Sequence, residues 1–298
     1  MLSGRINPDK QNRPLLGAHV SIAGGVDKAP RRGRDLTCDC IQIFSKNQSQ
    51  WRAKPLTEEA IRGFKEGLME NDIGGVLIHS SYLINLASPD EKKHKMSMDA
   101  FLDEIDRADQ LEVKQFVFHP GSHMGEGEEK GLMKIAESLN VIISSRPDSR
   151  VKILLENTAG QGTNLGYRFE HLAKIIELVE DKERMGVCFD TAHGFAAGLE
   201  LRTLEGYEEV WKSFDSIIGL ERLKAFHLND SKKDLNTRVD RHEHIGQGLI
   251  GLEAFRMLLN DARFSEMCMY LETPQGEEEY LENLRVLRSL FKNYVNKN

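Results

Sequence analysis

Eight short apolar runs punctuate the chain, and stretches with helical periodicity lie between them. The runs are LLGAHV (15–20), CIQIFS (40–45), GGVLIH (74–79), QFVFHP (115–120), VKILLE (151–156), MGVCFD (185–190), LKAFHL (223–228) and MCMYLE (267–272). Most are continuous rather than alternating, as in strands covered on both faces. Amphipathic helices are predicted over EEAIRGFKEGLM (58–69), EKGLMKIAESLNVII (129–143), FEHLAKIIELVED (169–181) and EEEYLENLRVLRSLFKNYV (277–295). Another begins at SPDE, where Ser88 as N-cap, Pro89 at the first helical position and Glu91 at the third spell a capping box.

Eight strands alternating with helices over 298 residues predict an α/β fold, a single (β/α)8 TIM barrel. The rival is a doubly wound open sheet, but no GxGxxG turn follows the first strand and the chain has no P-loop. No low-complexity linker divides the chain. Residues 14–298 are therefore read as one catalytic barrel domain, and residues 1–13 as a flexible N-terminal extension. Catalytic groups in such barrels sit at the C-terminal ends of the strands.

Those ends carry chemistry. The third run ends in His79, the fourth and seventh reach His119 and His227 one residue before their last, and the fifth, sixth and eighth end in Glu156, Asp190 and Glu272. A single histidine or carboxylate at a strand end is commonly a satisfied structural group. Six in succession are not, because charged side chains avoid buried strands. Two loops add to the set. His193 follows Asp190 by three, and RVDRHEHIGQG brings Asp240 and His242 at spacing two, which points both the same way if that piece is extended. These nine nitrogen and oxygen donors, with no thiolate, suit Zn²⁺ or Mn²⁺/Fe²⁺ better than Mg²⁺. One or two ions would leave several donors idle, whereas three ions sharing a bridging carboxylate use them all. His94, His171 and His244 are assigned to solvated loop or helix faces. His19 and His123 lie near the rim, where ligand, supporting and structural roles all stay open.

Composition narrows the class. With 40% apolar and 29% charged residues the chain suits a globule with a full-sized core. No apolar stretch approaches the ~20 residues of a membrane span, and the N-terminus lacks the apolar core of a signal peptide. Four cysteines without a CxxC pair read as buried free thiols, and the expected location is the cytoplasm. The net charge of −7 argues against a nucleic-acid partner. The local field argues the other way: three dications against four carboxylates leave about two positive charges at the barrel mouth. Such a cluster suits in-line displacement at phosphorus, activating a water on one side and neutralising the departing oxygen on the other. The rim loops lean basic too. KNQSQWRAK (46–54) holds Lys46, Arg52 and Lys54, and the loop after the seventh run holds Lys232, Lys233, Arg238 and Arg241. Trp51 and Tyr82 add rings able to stack on bases or wedge between them.

The segments GAHVS, HSSYLINLA, FHPGSH, LENTAGQGTNLG, DTAHGFAAG, HLNDSK, RVDRHEHIGQG and LETP resemble endonuclease IV, the metal-dependent apurinic/apyrimidinic endonuclease family, from about residue 15 onward. The resemblance implies a zinc-dependent phosphodiesterase with three zinc ions. It would cut the phosphodiester 5′ to an abasic site in duplex DNA, leave a 3′-hydroxyl, and trim blocked 3′ ends. Carried onto this sequence, one zinc takes His79, His119 and Glu156. A second shares Glu156 and adds Asp190, His227 and Glu272, and the third takes His193, Asp240 and His242. Glu156 and Glu272 are the expected catalytic residues. The expected DNA-contacting set is Tyr82, Lys46, Asn47, Gln48, Trp51, Arg238 and Arg241. The family's loop often reads KNQRQW, with an arginine that enters the DNA stack; here Ser49 stands in its place. The expected partner is duplex DNA with abasic sites or blocked 3′ ends, with no membrane partner, acted on by a monomer. The alternatives are a metal-dependent sugar isomerase or epimerase on the same barrel and a module that binds damaged DNA without cutting it.

Overall fold

The computed structural model describes residues 13–274 and 276–292. Ten strands occur among them: β1 (Leu15–His19), β2 (Cys40–Phe44), β3 (Val76–His79), β4 (Gln115–Phe118), β5 (Lys152–Glu156), β6 (Met185–Asp190), β7 (Leu223–Leu228), β8 (Asp230–Ser231), β9 (His242–Glu243) and β10 (Cys268–Leu271). β1–β7 and β10 close a barrel in which every neighbouring pair is parallel and β10 sits between β7 and β1. This is the barrel expected from the pattern of runs. β8 and β9 form a small antiparallel ribbon on one rim loop.

Two apolar compartments hold it together. Cys40, Leu77, Val117, Leu154, Cys188, Ala225 and Tyr270 plug the barrel interior, one from each strand except β1. There the equivalent place is Gly17, whose Cβ would lie 1.8 Å from the Cys40 carbonyl oxygen, so the close approach of β1 and β2 requires glycine. The larger compartment packs the outward strand residues against the surrounding helices, with the rings of Trp211, Phe189, Phe226 and Phe264 in tilted and edge-to-face contact. Side chains alternate along a strand, so the residue two positions beyond each plug residue also points inward, one step nearer the C-terminal mouth. Those residues are His19, Gln42, His79, His119, Glu156, Asp190, His227 and Glu272. The sheet's period of two thus turns eight apolar strands into one ring of polar groups.

Element boundaries differ from the sequence reading in instructive places. The helix after β3 (Glu91–Gln110) is capped by Asp90, whose Oδ1 accepts the Lys93 N–H at 2.9 Å, and not by Ser88. Ser88 is buried two residues upstream. The nearer carboxylate reaches the free N–H groups of the first turn. The helix beginning at Phe169 stops at Leu178 rather than 181, because Val179 turns extended and is buried. The helix read over 277–295 runs Glu277–Ser289, and residues 293–295 lie outside the described residues. Of the segment read as an extension, only Arg13 is described; its guanidinium pairs with Asp39 at 3.1 Å. No described helix is long and apolar enough to cross a membrane.

Candidate metal centre

Glu156 stands at the middle of the ring, fully buried. Its Oε2 lies 3.2 Å from His79 Nε2 and 3.2 Å from His119 Nε2, and its Oε1 lies 3.0 Å from His227 Nδ1. Three groups of side chains converge to within 4.8 Å: His79, His119 and Glu156; Glu156, Asp190, His227 and Glu272; and Asp190, His193 and His242. Asp240 meets the last group at 3.1 Å from His193 Nε2 and 3.3 Å from His242 Nε2. All nine residues read as candidate ligands are therefore brought to one mouth, with Asp190 reaching both of the last two groups.

The spacing of DTAH has a local cause. Asp190 is the N-cap of a six-residue helix (Thr191–Ala196), and its Oδ1 accepts the His193 N–H at 2.8 Å. The cap turns His193 back over the strand end. In the following loop, Asp230 is fully buried and accepts the N–H groups of Gly246, Gly248, Ile250 and Gly251. That anchor and the β8–β9 ribbon, which pairs Ser231 with His242, hold Asp240 and His242 over the barrel.

Hydrogen bonds around the ring decide which way the imidazoles face. His79 Nδ1 donates to the Ser80 carbonyl (2.8 Å), His193 Nδ1 to the Asn157 carbonyl (2.9 Å) and His242 Nδ1 to the Glu272 carbonyl (3.0 Å). Each bond leaves an Nε2 lone pair directed at the site. His242 Nε2 is buried with no hydrogen-bond partner among the described residues. Imidazole lone pairs thus confront carboxylate lone pairs, an arrangement that needs cations between them. Where no cation intervenes, protons take the role. Burial disfavours charge on His193, yet Asp190 and Asp240 hold its imidazole well above the ordinary range. Burial likewise opposes ionisation of Glu156, but His227 and His119 hold its carboxyl well below. Histidine nitrogens and carboxylate oxygens without thiolate fit zinc.

Several partners escape the sequence reading. Asn157 accepts the Asp190 N–H through Oδ1 (2.7 Å), and Asn229 donates to Asp190 Oδ2 (2.7 Å) while accepting the Glu272 N–H (2.9 Å). Gln42 touches His19, His227 and Glu272. All three are neutral amides, so a search for titratable groups passes over them; their signal is a polar residue inside or just after an apolar run. His19, the member of the ring on β1, lies 3.6 Å from Glu272 Oε1. His123 Nδ1 accepts the N–H groups of Gly125 and Gly127 and shapes its own loop. His171 is not solvated: it is buried, with Nδ1 accepting the Gly166 N–H, because its helix face turns onto the barrel. His94 and His244 are half-buried, bonded to Ser138 and Asn283 respectively.

The expected DNA-contacting residues divide. Tyr82 is 63% exposed, with its ring 5.7 Å from that of His79 at the edge of the mouth. Asn47, Ser49, Arg238 and Arg241 are exposed, and the Arg238 guanidinium carbon lies over the Tyr167 ring, 4.3 Å from its centroid. Trp51 is half-buried and packs against the core, and Gln48 is half-buried with its carbonyl accepting from Ser81 Oγ. Lys46 departs from expectation. Its side chain is 1% exposed and its Nζ lies 2.9 Å from Asp103 and 3.4 Å from Glu104, so it ties the rim loop to the helix after β3 rather than facing DNA.

Lys46 carries a pH signature. Burial pushes the Glu104 carboxyl up to about 7, against the pull of the Lys46 ammonium. A folded-state pKa raised above the unfolded value means stability falls as pH rises from about 4.5 toward 7. Lys46→Met removes the charge that restrains this rise, so its loss continues above 7. The variant is expected to be destabilised by about 3–5 kcal/mol at pH 8, the scale of a broken buried ion pair, and by less at pH 6. Equal deficits in thermal melts at the two pH values would contradict this.

The comparisons agree with the geometry. A family described as a xylose isomerase-like TIM barrel matches residues 30–290. The probable endonuclease 4 of Chloroflexus aurantiacus is 50% identical over 279 residues, covering 93% of this chain and 98% of the relative. That of Geotalea daltonii is 49% identical over 282 residues, covering 94% and 99%. Endonuclease IV from Thermus thermophilus superposes with a TM-score of 0.83 at 36% identity, covering 93% of this chain and 98% of that one. A D-tagatose 3-epimerase-like protein, with a TM-score of 0.72 and 20% identity over 93% of this chain and 96% of its own, shares the fold. With a barrel mouth of this composition and relatives this close along nearly the whole chain, the protein belongs to the endonuclease IV family, and it is a nuclease.

Proposed function

We propose that this protein is a DNA-repair endonuclease that hydrolyses the phosphodiester 5′ to abasic sites in duplex DNA, leaving a 3′-hydroxyl, and trims blocked 3′ ends. The reading takes residues 14–298 as one catalytic domain, acting as a monomer in the cytoplasm. One observation carries it: five imidazoles and four carboxylates aim their lone pairs at one barrel mouth, in three overlapping groups. Three zinc ions fit those groups, held by His79, His119 and Glu156; by Glu156, Asp190, His227 and Glu272; and by His193, Asp240 and His242. When bound, the ions supply a nucleophilic water at neutral pH and charge to offset the departing oxygen. The chain's own residues do the rest. Glu156 joins two of the groups through its separate oxygens. Glu272 presents Oε2 toward His227 Nδ1 at 3.3 Å. Arg238 and Arg241 offer guanidiniums at the rim to phosphates. A sugar epimerase needs one or two ions and a free acid/base pair, so it would leave His193, Asp240 and His242 without use.

Lesion recognition follows from stacking. An abasic site lacks one base, so displacing it costs less than displacing a normal nucleotide. Tyr82 is the exposed ring nearest the mouth, and Ser49 is too short to fill a base-sized gap, so Tyr82 carries most of the wedge. Tyr82→Ala is expected to weaken abasic-duplex binding by roughly 1–3 kcal/mol, the scale of one base–aromatic contact, and to affect a blocked 3′ end less. Ser49→Arg is expected to tighten abasic binding and steepen its salt dependence. Unchanged abasic binding by Tyr82→Ala, or equal loss on both substrates, would rule out the wedge.

The function itself is tested with an end-labelled duplex carrying one abasic site. The expected product is a single nick 5′ to the lesion ending in a 3′-hydroxyl. An intact duplex after incubation with zinc-loaded protein in excess would overturn the proposal.

A further inference from the structure

We propose that Gln42 is a positioning residue of this site: its amide sets which nitrogen of His227 and which oxygen of Glu272 face the cations. The inference rests on the metal-dependent reading of the site given above.

Each of the eight barrel strands places one side chain a step above the apolar plug. Seven of these are titratable, and the eighth is Gln42, fully buried on β2. A buried amide must place both its donors and its acceptor. Gln42 Nε2 lies 2.5 Å from Glu272 Oε1 and 2.9 Å from His19 Nδ1, while its Oε1 lies 2.7 Å from His227 Nε2. A carboxylate only accepts, so the amide's N–H groups face Glu272 and His19. Its carbonyl then accepts from His227 Nε2–H. This assignment leaves the His227 lone pair on Nδ1, 3.0 Å from Glu156 Oε1 and 3.3 Å from Glu272 Oε2. Glu272 is divided in the same stroke: Oε1 is occupied by the amide, and Oε2 remains for the site.

His227 differs here from His79, His193 and His242, whose Nδ1–H groups are held by backbone carbonyls. It turns its other nitrogen inward and depends on a side chain for that choice. A partner outside the ligand shell fixes ring orientation and tautomer, and its loss costs about 10–100-fold in metal affinity or activity.

The test uses the full-length, zinc-loaded protein labelled with ¹⁵N at histidine, together with competition by a chromophoric zinc chelator. Gln42→Met keeps the length but neither donates nor accepts. It is expected to lose the protected His227 Nε2–H signal and to release one zinc about 10–100-fold more readily, with kcat for abasic incision falling similarly and KM unchanged. Gln42→Glu, of the same size, keeps an acceptor for His227 but sets a like charge against Glu272. It is expected to retain the Nε2–H signal and the zinc, with kcat still low. Wild-type zinc retention and an unchanged His227 signal in Gln42→Met would overturn the proposal, as would a Gln42→Glu protein that loses the signal as Gln42→Met does. If the parent protein fails to cut abasic DNA, the nuclease reading falls, while the histidine spectrum and zinc retention still decide the part assigned to Gln42.

Discussion

Glu272→Gln is expected to yield a folded protein that binds abasic DNA and cleaves it at least about a thousandfold more slowly. The substitution keeps the side chain's size, so the ring above the plug stays filled and the barrel is undisturbed. What changes is charge. Glu272 Oε2 faces His227 Nδ1, while Oε1 is engaged by Gln42, which leaves one anionic oxygen turned to the site. The amide has no negative charge to hold a cation or orient the water beside it. It would also turn an N–H toward either Gln42 or the cations, where only acceptors belong. In the function proposed above, substrate binding rests on the rim groups, Tyr82 and the two arginines, which the change does not touch. The loss therefore falls on kcat and not on the dissociation constant of the uncut duplex. Turnover near the parent's would remove Glu272 from the mechanism.

Exhaustive chelation is expected to reduce incision to background and to lower the melting temperature, with zinc restoring both. Four carboxylates converge at the barrel mouth, and Glu156, Asp190 and His227 are fully buried. With cations removed, protons on His193 and its neighbours must hold that arrangement together, and they do so less well than dications. Binding to the folded state alone stabilises by about 4 kcal/mol per site at a thousandfold excess over the dissociation constant. Full activity in protein shown to be free of metal would contradict this reading.

Legibility in the sequence followed chemistry rather than position. His79, Glu156 and Asp190 stand out because an apolar run has no packing reason to finish in a titratable group, and His227 because it interrupts one just before its end. The barrel was legible for a related cause, since continuous apolar runs between amphipathic stretches admit few other folds. Gln42 was hidden by the same logic: a neutral amide inside CIQIF reads as a blemish in a strand, and only the period-two register with Cys40 places it in the ring. Lys46 misled in the opposite direction. A lysine in a basic loop reads as a phosphate contact, but its partner Asp103 lies 57 residues away on a helix, next to Glu104, a pairing no local pattern reveals. Asp90 displaced Ser88 as the cap because two good capping residues stood two apart, and the fold chose the one nearer the free N–H groups.

The measurement that bears most directly on the central claim is the metal content of gently purified protein after saturation with zinc and removal of excess. Nine converging ligands with Glu156 shared between two groups predict a ratio close to three zinc ions per chain. A saturated value near one would contradict the three-ion site, leaving donors of at least one group with no cation to hold.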